Sequence, residues 1–186
     1  MSNMLLNNKE LAVLNEFASN QRYHGRRLAN KLNMNQKTVS NVLNILEKKN
    51  FIKFTQEGKN KNYFLNKSNL LLKEALKLVE INRKIIFLEK YSKLNELFLK
   101  IEKRSKGLVL VFGSYANFSS TKNSDFDLFI IGSVNELDDL EKLYHLKINI
   151  VNSSKTKFKR DDLFVKEILK NHIILKGVEN FIELIW

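Results

Sequence analysis

The sequence predicts an α+β fold in more than one domain, and three observations carry that prediction. Apolar residues recur at helical spacing over the first fifty positions, then give way to a hairpin pattern. A stretch of 38 residues, 67–104, follows without a single Gly or Pro. Beyond it, apolar runs of strand length alternate with helical segments, as in a small α/β domain.

The elements follow in order. Leu11, Leu14 and Phe17 share one helix face. Leu28 and Leu32 lie four apart in HGRRLANKLNM, the second helix. In NQKTVSNVLNILEKKN, Val39, Val42, Leu43 and Leu46 form one stripe, and Asn35 is placed to cap the start. Only a few residues around Asn33-Met34-Asn35 separate these two helices. FIKFTQEGKNKNYFLNK then reads as two strands joined at Glu57-Gly58-Lys59-Asn60. Residues 67–104 predict one long helix, or two joined near Asn82, with Ser68 as the cap and more apolar positions than a single narrow stripe needs. Its excess apolar surface suits either a connector covering the next domain or a dimerisation helix. GLVLVF (107–112), DFDLFII (125–131) and LKINIV (146–151) read as strands, and DDLEKLYHL and LFVKEILKNHI as helices.

Composition narrows the chemistry. Apolar residues make up 44% of the 186, enough for a buried core. Without cysteine, the chain has no disulfide, zinc-thiolate site or cysteine nucleophile. The scattered His24, His145 and His172 do not form a metal-cage pattern. No apolar stretch approaches the ~20 residues of a membrane helix, and MSNMLLNNKELAV is too polar for a signal peptide. The expectation is a soluble cytoplasmic protein without a membrane partner. The net charge of +12 is uneven: residues 1–66 hold 11 basic and 4 acidic side chains, residues 67–186 hold 21 and 16. A basic surplus at one end suits a polyanion, although a Lys-rich surface also serves solubility.

Three short helices followed by a basic hairpin resemble a winged helix-turn-helix domain, over residues 1–66. The run RRLANKLNMNQKTVSNVLNILEKKNFI is similar to the central helices of winged-helix regulators. That resemblance makes residues 36–48 a recognition helix for double-stranded DNA. Gln36, Lys37, Thr38, Ser40, Asn41 and Asn44 would face the bases. Lys59 and Lys61 on the wing would meet phosphates. Such regulators usually act on two half-sites, which favours a homodimer; a domain that docks protein instead is the alternative.

The most specific pattern is GSYANFSSTKNSDFDLFI, residues 113–130. Strand alternation turns Asp125 and Asp127 to one face and Phe126 and Leu128 to the core. Two carboxylates on one face call for a cation, and Mg²⁺ is commonly held by a couple of carboxylates plus substrate phosphates. Gly113 lets backbone approach a ligand closely, and Ser114 adds a hydroxyl. The bland alternative is that Asp125 follows an Asn-Ser turn and Asp127 is merely exposed.

Gly-Ser, ten residues, then Asp-x-Asp resembles the nucleotidyltransferase superfamily that includes DNA polymerase beta, in its minimal branch, over residues 105–186. The resemblance implies a small α/β domain with a mixed sheet. It implies that Gly113 and Ser114 bind the triphosphate of an NTP, with ATP the expected one, and that Asp125 and Asp127 are the catalytic acids and Mg²⁺ ligands. Ser124 matches the family's Ser-Asp-x-Asp-Leu run. The activity implied is nucleotidyl transfer to a hydroxyl with release of pyrophosphate. A protein acceptor such as a toxin partner follows by analogy with antitoxins of this branch.

Two departures stand out. The family often continues as Gly-Ser-x-Ala-x-Gly with a basic residue before the last Gly, whereas Asn117 and Phe118 fill those places here. Active members carry a third acid on the next strand, where this chain has Ile148-Asn149-Ile150-Val151. Losing a general base typically reduces rate ~10²- to 10⁴-fold, so a regulator that only senses nucleotide or dimerises is the competing reading. Glu136, Asp138, Asp139, Asp161 and Asp162 are the acids available to substitute. Lys155, Lys157, Lys159 and Arg160 form a second basic cluster, either a phosphate contact or a solvated loop.

Overall fold

The computed structural model describes residues 6–18, 21–159 and 161–186, so Arg160 and the first five residues lie outside the described chain. The chain divides into two compact units, Met1–Val79 with Trp186, and Glu80–Ile185.

In the first unit, α1 (Asn8–Phe17) is capped by Asn7, whose side chain accepts from the amides of Lys9 and Glu10. A two-residue strand β1 (Tyr23–His24) precedes α2 (Gly25–Lys31), and α3 spans Gln36–Lys48. Asn35 caps α3 by accepting from the Lys37 amide at 2.8 Å, as its position predicts. Asn33, at φ +49, makes the tight turn between α2 and α3. Strands β2 (Ile52–Glu57) and β3 (Asn60–Leu65) form the hairpin, and β1 joins it in the order β1-β3-β2. Val13, Leu14, Phe17, Leu28, Val39, Leu43 and Leu46 fill the core between helices and hairpin. Glu10, nearly fully buried, is neutralised by Lys49 at 2.7 Å.

Helix α4 (Leu71–Lys90) contains the division between the units. Two expectations are corrected here. The helix runs unbroken through Asn82 and ends near Tyr91, where a 3-10 turn (Ser92–Leu94) leads into α5 (Asn95–Arg104). The start is held by Asn69, whose Oδ1 accepts the Leu71 amide at 3.0 Å, and not by Ser68. Asn69 lies two residues before the first helical residue, the reach of an Asx side chain.

The second unit continues with β4 (Ser105–Phe112), α6 (Gly113–Ala116), β5 (Phe126–Val134), α7 (Asp138–Tyr144) and β6 (Ile148–Ser153). It ends with α8 (Leu163–Lys170), β7 (Ile173–Lys176) and α9 (Val178–Ile185). The sheet order is β6-β5-β4-β7. Strands β5 and β6 run parallel while β4 is antiparallel to both its neighbours, so the sheet is mixed. Phe87, Phe98, Ile101, Val109, Val111, Phe126, Leu128 and Leu140 belong to one buried cluster.

A buried charge cluster lies in this unit. Glu80 and His172 are both 2% exposed, with His172 Nε2 3.4 Å from a Glu80 oxygen. That contact is an ion-pair approach without well-aligned hydrogen-bond geometry. The Arg83 guanidinium also lies 3.4 Å from Glu80. Burial by itself would push the Glu80 carboxyl up, but attraction to His172 and Arg83 outweighs it and holds the carboxyl below its ordinary value. A depressed carboxyl contributes stability that is present above the ordinary value of 4.5. That contribution is lost as pH falls through the lower folded value. We expect the melting temperature of the wild type to fall more steeply with acidification below that point than that of Glu80→Gln. Parallel melting curves for the two proteins would remove this role for Glu80.

Candidate functional site

The site is assembled where three strand ends meet. β4 closes at Phe112, whose partner on β5 is Asp127, and Asp127 stands opposite Asn149 on β6. Gly113 follows Phe112 directly, and Asp125 stands one residue ahead of β5. The sheet therefore brings Gly113, Asp125, Asp127 and Asn149 together. Phe126 and Leu128 are fully buried and alternate with the two half-buried acids, as strand alternation predicts.

Gly113 takes φ +69, a conformation that L side chains rarely adopt. A Cβ there would overlap the Asp127 Oδ2 atom, so the missing side chain makes room for that carboxylate. Ser114, half-buried, is the second residue of the short helix α6, and its carbonyl accepts the Ser119 amide at 3.0 Å. This folds the following loop back over the turn. Phe118 occupies the place where the sequence departs from a glycine, and it keeps a glycine-like φ of +58. Its ring stacks on Tyr91, with an interplanar angle of 7° and centroids 6.3 Å apart, and touches Phe87. Aromatic packing thus holds a backbone conformation that strains a bulky residue. Ser124 Oγ accepts the Thr121 amide at 2.8 Å, closing the turn just ahead of Asp125.

Asn149 is the centre of the arrangement. Its Nδ2 donates to Asp125 Oδ2 at 3.1 Å and to Asp127 Oδ1 at 2.9 Å. The opposite amide orientation would set an oxygen against both acids, so electrostatics selects the donating one. Lys147, not singled out from the sequence, adds an ammonium 3.5 Å from Asp125 Oδ2. The signal for it was the same alternation that marks Asn149, since it lies two residues earlier on the same face.

Of the acids available to substitute, three lie beyond the far end of β5 and Asp162 caps a helix. β5 pairs with β4 so that Val134 meets Ser105 at the far end of the strand from Asp127. Glu136, Asp138 and Asp139 follow that far end. At about 3.3 Å per residue, the length of β5 sets them on the order of 25 Å from the site. Asp139 is bound by both guanidinium nitrogens of Arg104, whose hydrogen bonds hold its carboxyl below the ordinary value. Asp162 caps α8, accepting from Phe164 and Val165 amides. Asp161 is exposed in the preceding turn, and Lys155, Lys157 and Lys159 are exposed after β6.

Among the described residues, no three carboxylate, imidazole or thiol side chains gather where a metal ion could sit. The donor set is two carboxylates and one amide, and both acids already face a common nitrogen. Carboxylate oxygens and a carbonyl oxygen are hard ligands, so this set fits Mg²⁺ shared with phosphate.

In the first unit, Gln36, Lys37, Ser40, Asn41 and Asn44 are exposed on α3, with Thr38 half-buried. Val39, Val42, Leu43 and Leu46 face the core from the other side of the helix. Lys59 is exposed in the hairpin turn. Lys61 is partly engaged, with its ammonium 3.7 Å from the Phe54 ring centroid and 3.6 Å from Glu47.

A family model described as a nucleotidyltransferase domain matches residues 91–184, and a MarR-family model matches residues 6–61. No curated protein matches the chain. Similar solved structures include a toxin-antitoxin with AMP-PNP, at 17% identity, 50% of this chain, 78% of that chain and a TM-score of 0.36. They also include the archaeal chromatin protein TrmBL2, described as showing a novel mode of DNA binding, at 19% identity, 91% of this chain, 71% of that chain and a TM-score of 0.33.

Proposed function

Because this chain belongs to the nucleotidyltransferase domain family and carries a MarR-type winged helix ahead of that domain, we propose that it is a DNA-binding regulator whose second unit binds a nucleoside triphosphate with Mg²⁺. The convergence of Gly113, Asp125 and Asp127 on one corner of the sheet is the observation that carries this reading. Asp125 and Asp127 would hold the cation, whose charge would draw the triphosphate to the site. Gly113 leaves backbone accessible to phosphate, and Ser114 offers a hydroxyl beside it.

Asn149 favours binding without transfer. An amide neither accepts a proton as a base nor adds negative charge for a second metal ion. Of the other acids named above, Glu136, Asp138 and Asp139 follow the far end of β5, and Asp162 is engaged as a helix cap. A nucleotide-responsive regulator therefore fits better than an active transferase. Transfer to a protein acceptor is the second reading, supported by the retained Gly113-Ser114 and Asp125-Asp127 pairs.

Helix α4 supports a homodimer. Leu71, Leu78, Ile81 and Ile85 are each at least 41% exposed at spacings of seven, three and four, the pattern of an apolar seam between two helices. A second copy of this chain presents the same stripe.

Calorimetric titration with ATP, in Mg²⁺ and again in EDTA, tests the nucleotide site. We expect heat in Mg²⁺ that vanishes in EDTA and in Asp127→Asn, with the variant's thermal melt close to wild type because its side chain is only half-buried. Silence from ATP, GTP, CTP and UTP alike would refute nucleotide binding. Unchanged affinity in Asp127→Asn would refute the metal role.

A further inference from the structure

Asn149 does more than stand in for a missing acid. A primary amide is two-faced, with two donor hydrogens at one end and an acceptor oxygen at the other. In this structure the donor end bridges both carboxylates, at 3.1 and 2.9 Å. Lys147 adds a more exposed positive charge on Asp125 alone. The repulsion between two acids on one face is thus offset by groups belonging to the protein itself. An aspartate at position 149 could not do this, because an ionised carboxylate has no hydrogen to donate.

A cation between the acids reverses the preference. Donor hydrogens facing a divalent ion are repelled, whereas the carbonyl oxygen of the same amide is a hard, neutral ligand. Turning the amide end for end exchanges one for the other. The change needs rotation about a terminal torsion with broad, roughly two-fold minima, and no movement of the strand.

We infer that Asn149 is a reversible latch: its NH₂ group clamps Asp125 and Asp127 in the metal-free protein, and its oxygen turns inward when Mg²⁺ enters with a nucleotide. This rests on the nucleotide-binding reading given above and adds a coupling to it. Free Mg²⁺ must displace two hydrogen bonds and finds only two formal negative charges, one fewer than three acids would give. A triphosphate brings the further oxygen ligands and negative charge. The site therefore responds to Mg-NTP and discriminates against Mg²⁺ alone. The reacting state of an enzyme is not needed for such a device.

The test uses the full chain labelled with ¹⁵N. The side-chain NH₂ signals of Asn149 are identified as those missing from Asn149→Asp. We expect them to be unmoved by Mg²⁺ alone, and to shift and lose protection from solvent exchange on addition of Mg-ATP. In calorimetry, Asn149→Asp should take up Mg²⁺ without nucleotide. Asn149→Leu, with neither donor nor ligand, should bind Mg-ATP roughly ten- to a hundred-fold more weakly, the usual range for loss of a metal-site group. Wild-type protein that binds no Mg-ATP overturns both this inference and the function it rests on. Wild-type protein that binds Mg-ATP with stationary Asn149 signals, or with Asn149→Leu affinity unchanged, overturns the latch alone. Should a variant fail to fold, the Asn149 NH₂ pair is assigned by through-bond correlation in the wild type, and its response to Mg-ATP alone decides the latch.

Discussion

Alanine at position 113 is expected to abolish Mg-ATP binding and to lower the melting temperature of the second unit. Gly113 has φ +69, and its absent Cβ is what leaves space for Asp127 Oδ2. Two responses are open to the alanine variant. The Asp127 side chain can rotate away, breaking the 2.9 Å hydrogen bond from Asn149 and spoiling the acid pair. Alternatively the backbone at 112–114 can shift, which moves the Gly-Ser turn from the place where phosphate would approach it. Either response removes the ligand site. A non-glycine residue held in such a conformation costs about 1–3 kcal/mol, and the overlap adds to that. For a unit of roughly this size each kcal/mol lowers the melting temperature by about 4–8 °C. Gly58→Ala supplies the control. Gly58 has φ +59, but a Cβ added there would meet nothing within 4 Å, so that variant carries the backbone strain without the collision. It should lose some stability in the first unit and keep full nucleotide affinity. A Gly113→Ala protein that binds Mg-ATP as the wild type does would show that the turn plays no part in the site.

Much of this arrangement was legible in the sequence because it depends on local periodicity. The limits of α3 followed from the Asn35 cap and the stripe Val39, Val42, Leu43 and Leu46. The common face of Asp125, Asp127 and Asn149 followed from strand alternation alone, and the register then placed Asp127 opposite Asn149. What escaped depends on contacts between distant segments. Strand β1 is two residues long and exists by pairing Tyr23 with Tyr63 on β3. Strand β7 is fixed by β4, with Ile173 and Ile174 set against Val111 and Leu110, while its own sequence continues an apolar run that reads as helix. The end of α4 at Tyr91 has no Gly or Pro to announce it. In the site, alternation could bring Asn149 to the acids but could not show which end of its amide they meet. That choice is made by the charges of Asp125 and Asp127 across the strands.

The affinity for DNA is expected to fall about 10³-fold between 50 and 200 mM salt if the protein binds as a dimer. Three cations lie on the candidate surface of each protomer: Lys37 on α3, and Lys59 and Lys61 on the hairpin. Two protomers then make about six phosphate contacts, and the logarithm of affinity should fall with a slope of about −5 against the logarithm of salt. A monomer with three contacts would show a slope of about −3 and lose only some 40-fold. Sedimentation equilibrium at micromolar concentration, run beside the salt series, decides which applies; a monomer would remove the dimer assigned to the α4 stripe. The surface also separates affinity from specificity. Lys59 is exposed and free of the ring and carboxylate that engage Lys61. Lys59→Ala should therefore weaken binding to every sequence alike and flatten the slope by about one unit per protomer. Asn41 projects from the exposed face of α3 and has the paired donor and acceptor that suit an adenine edge. Asn41→Ala should lose about 1–3 kcal/mol on the preferred sequence only, with the salt slope unchanged. A slope near zero, or an equal loss on all sequences from Asn41→Ala, would turn this face from a DNA-reading surface into a protein-docking one.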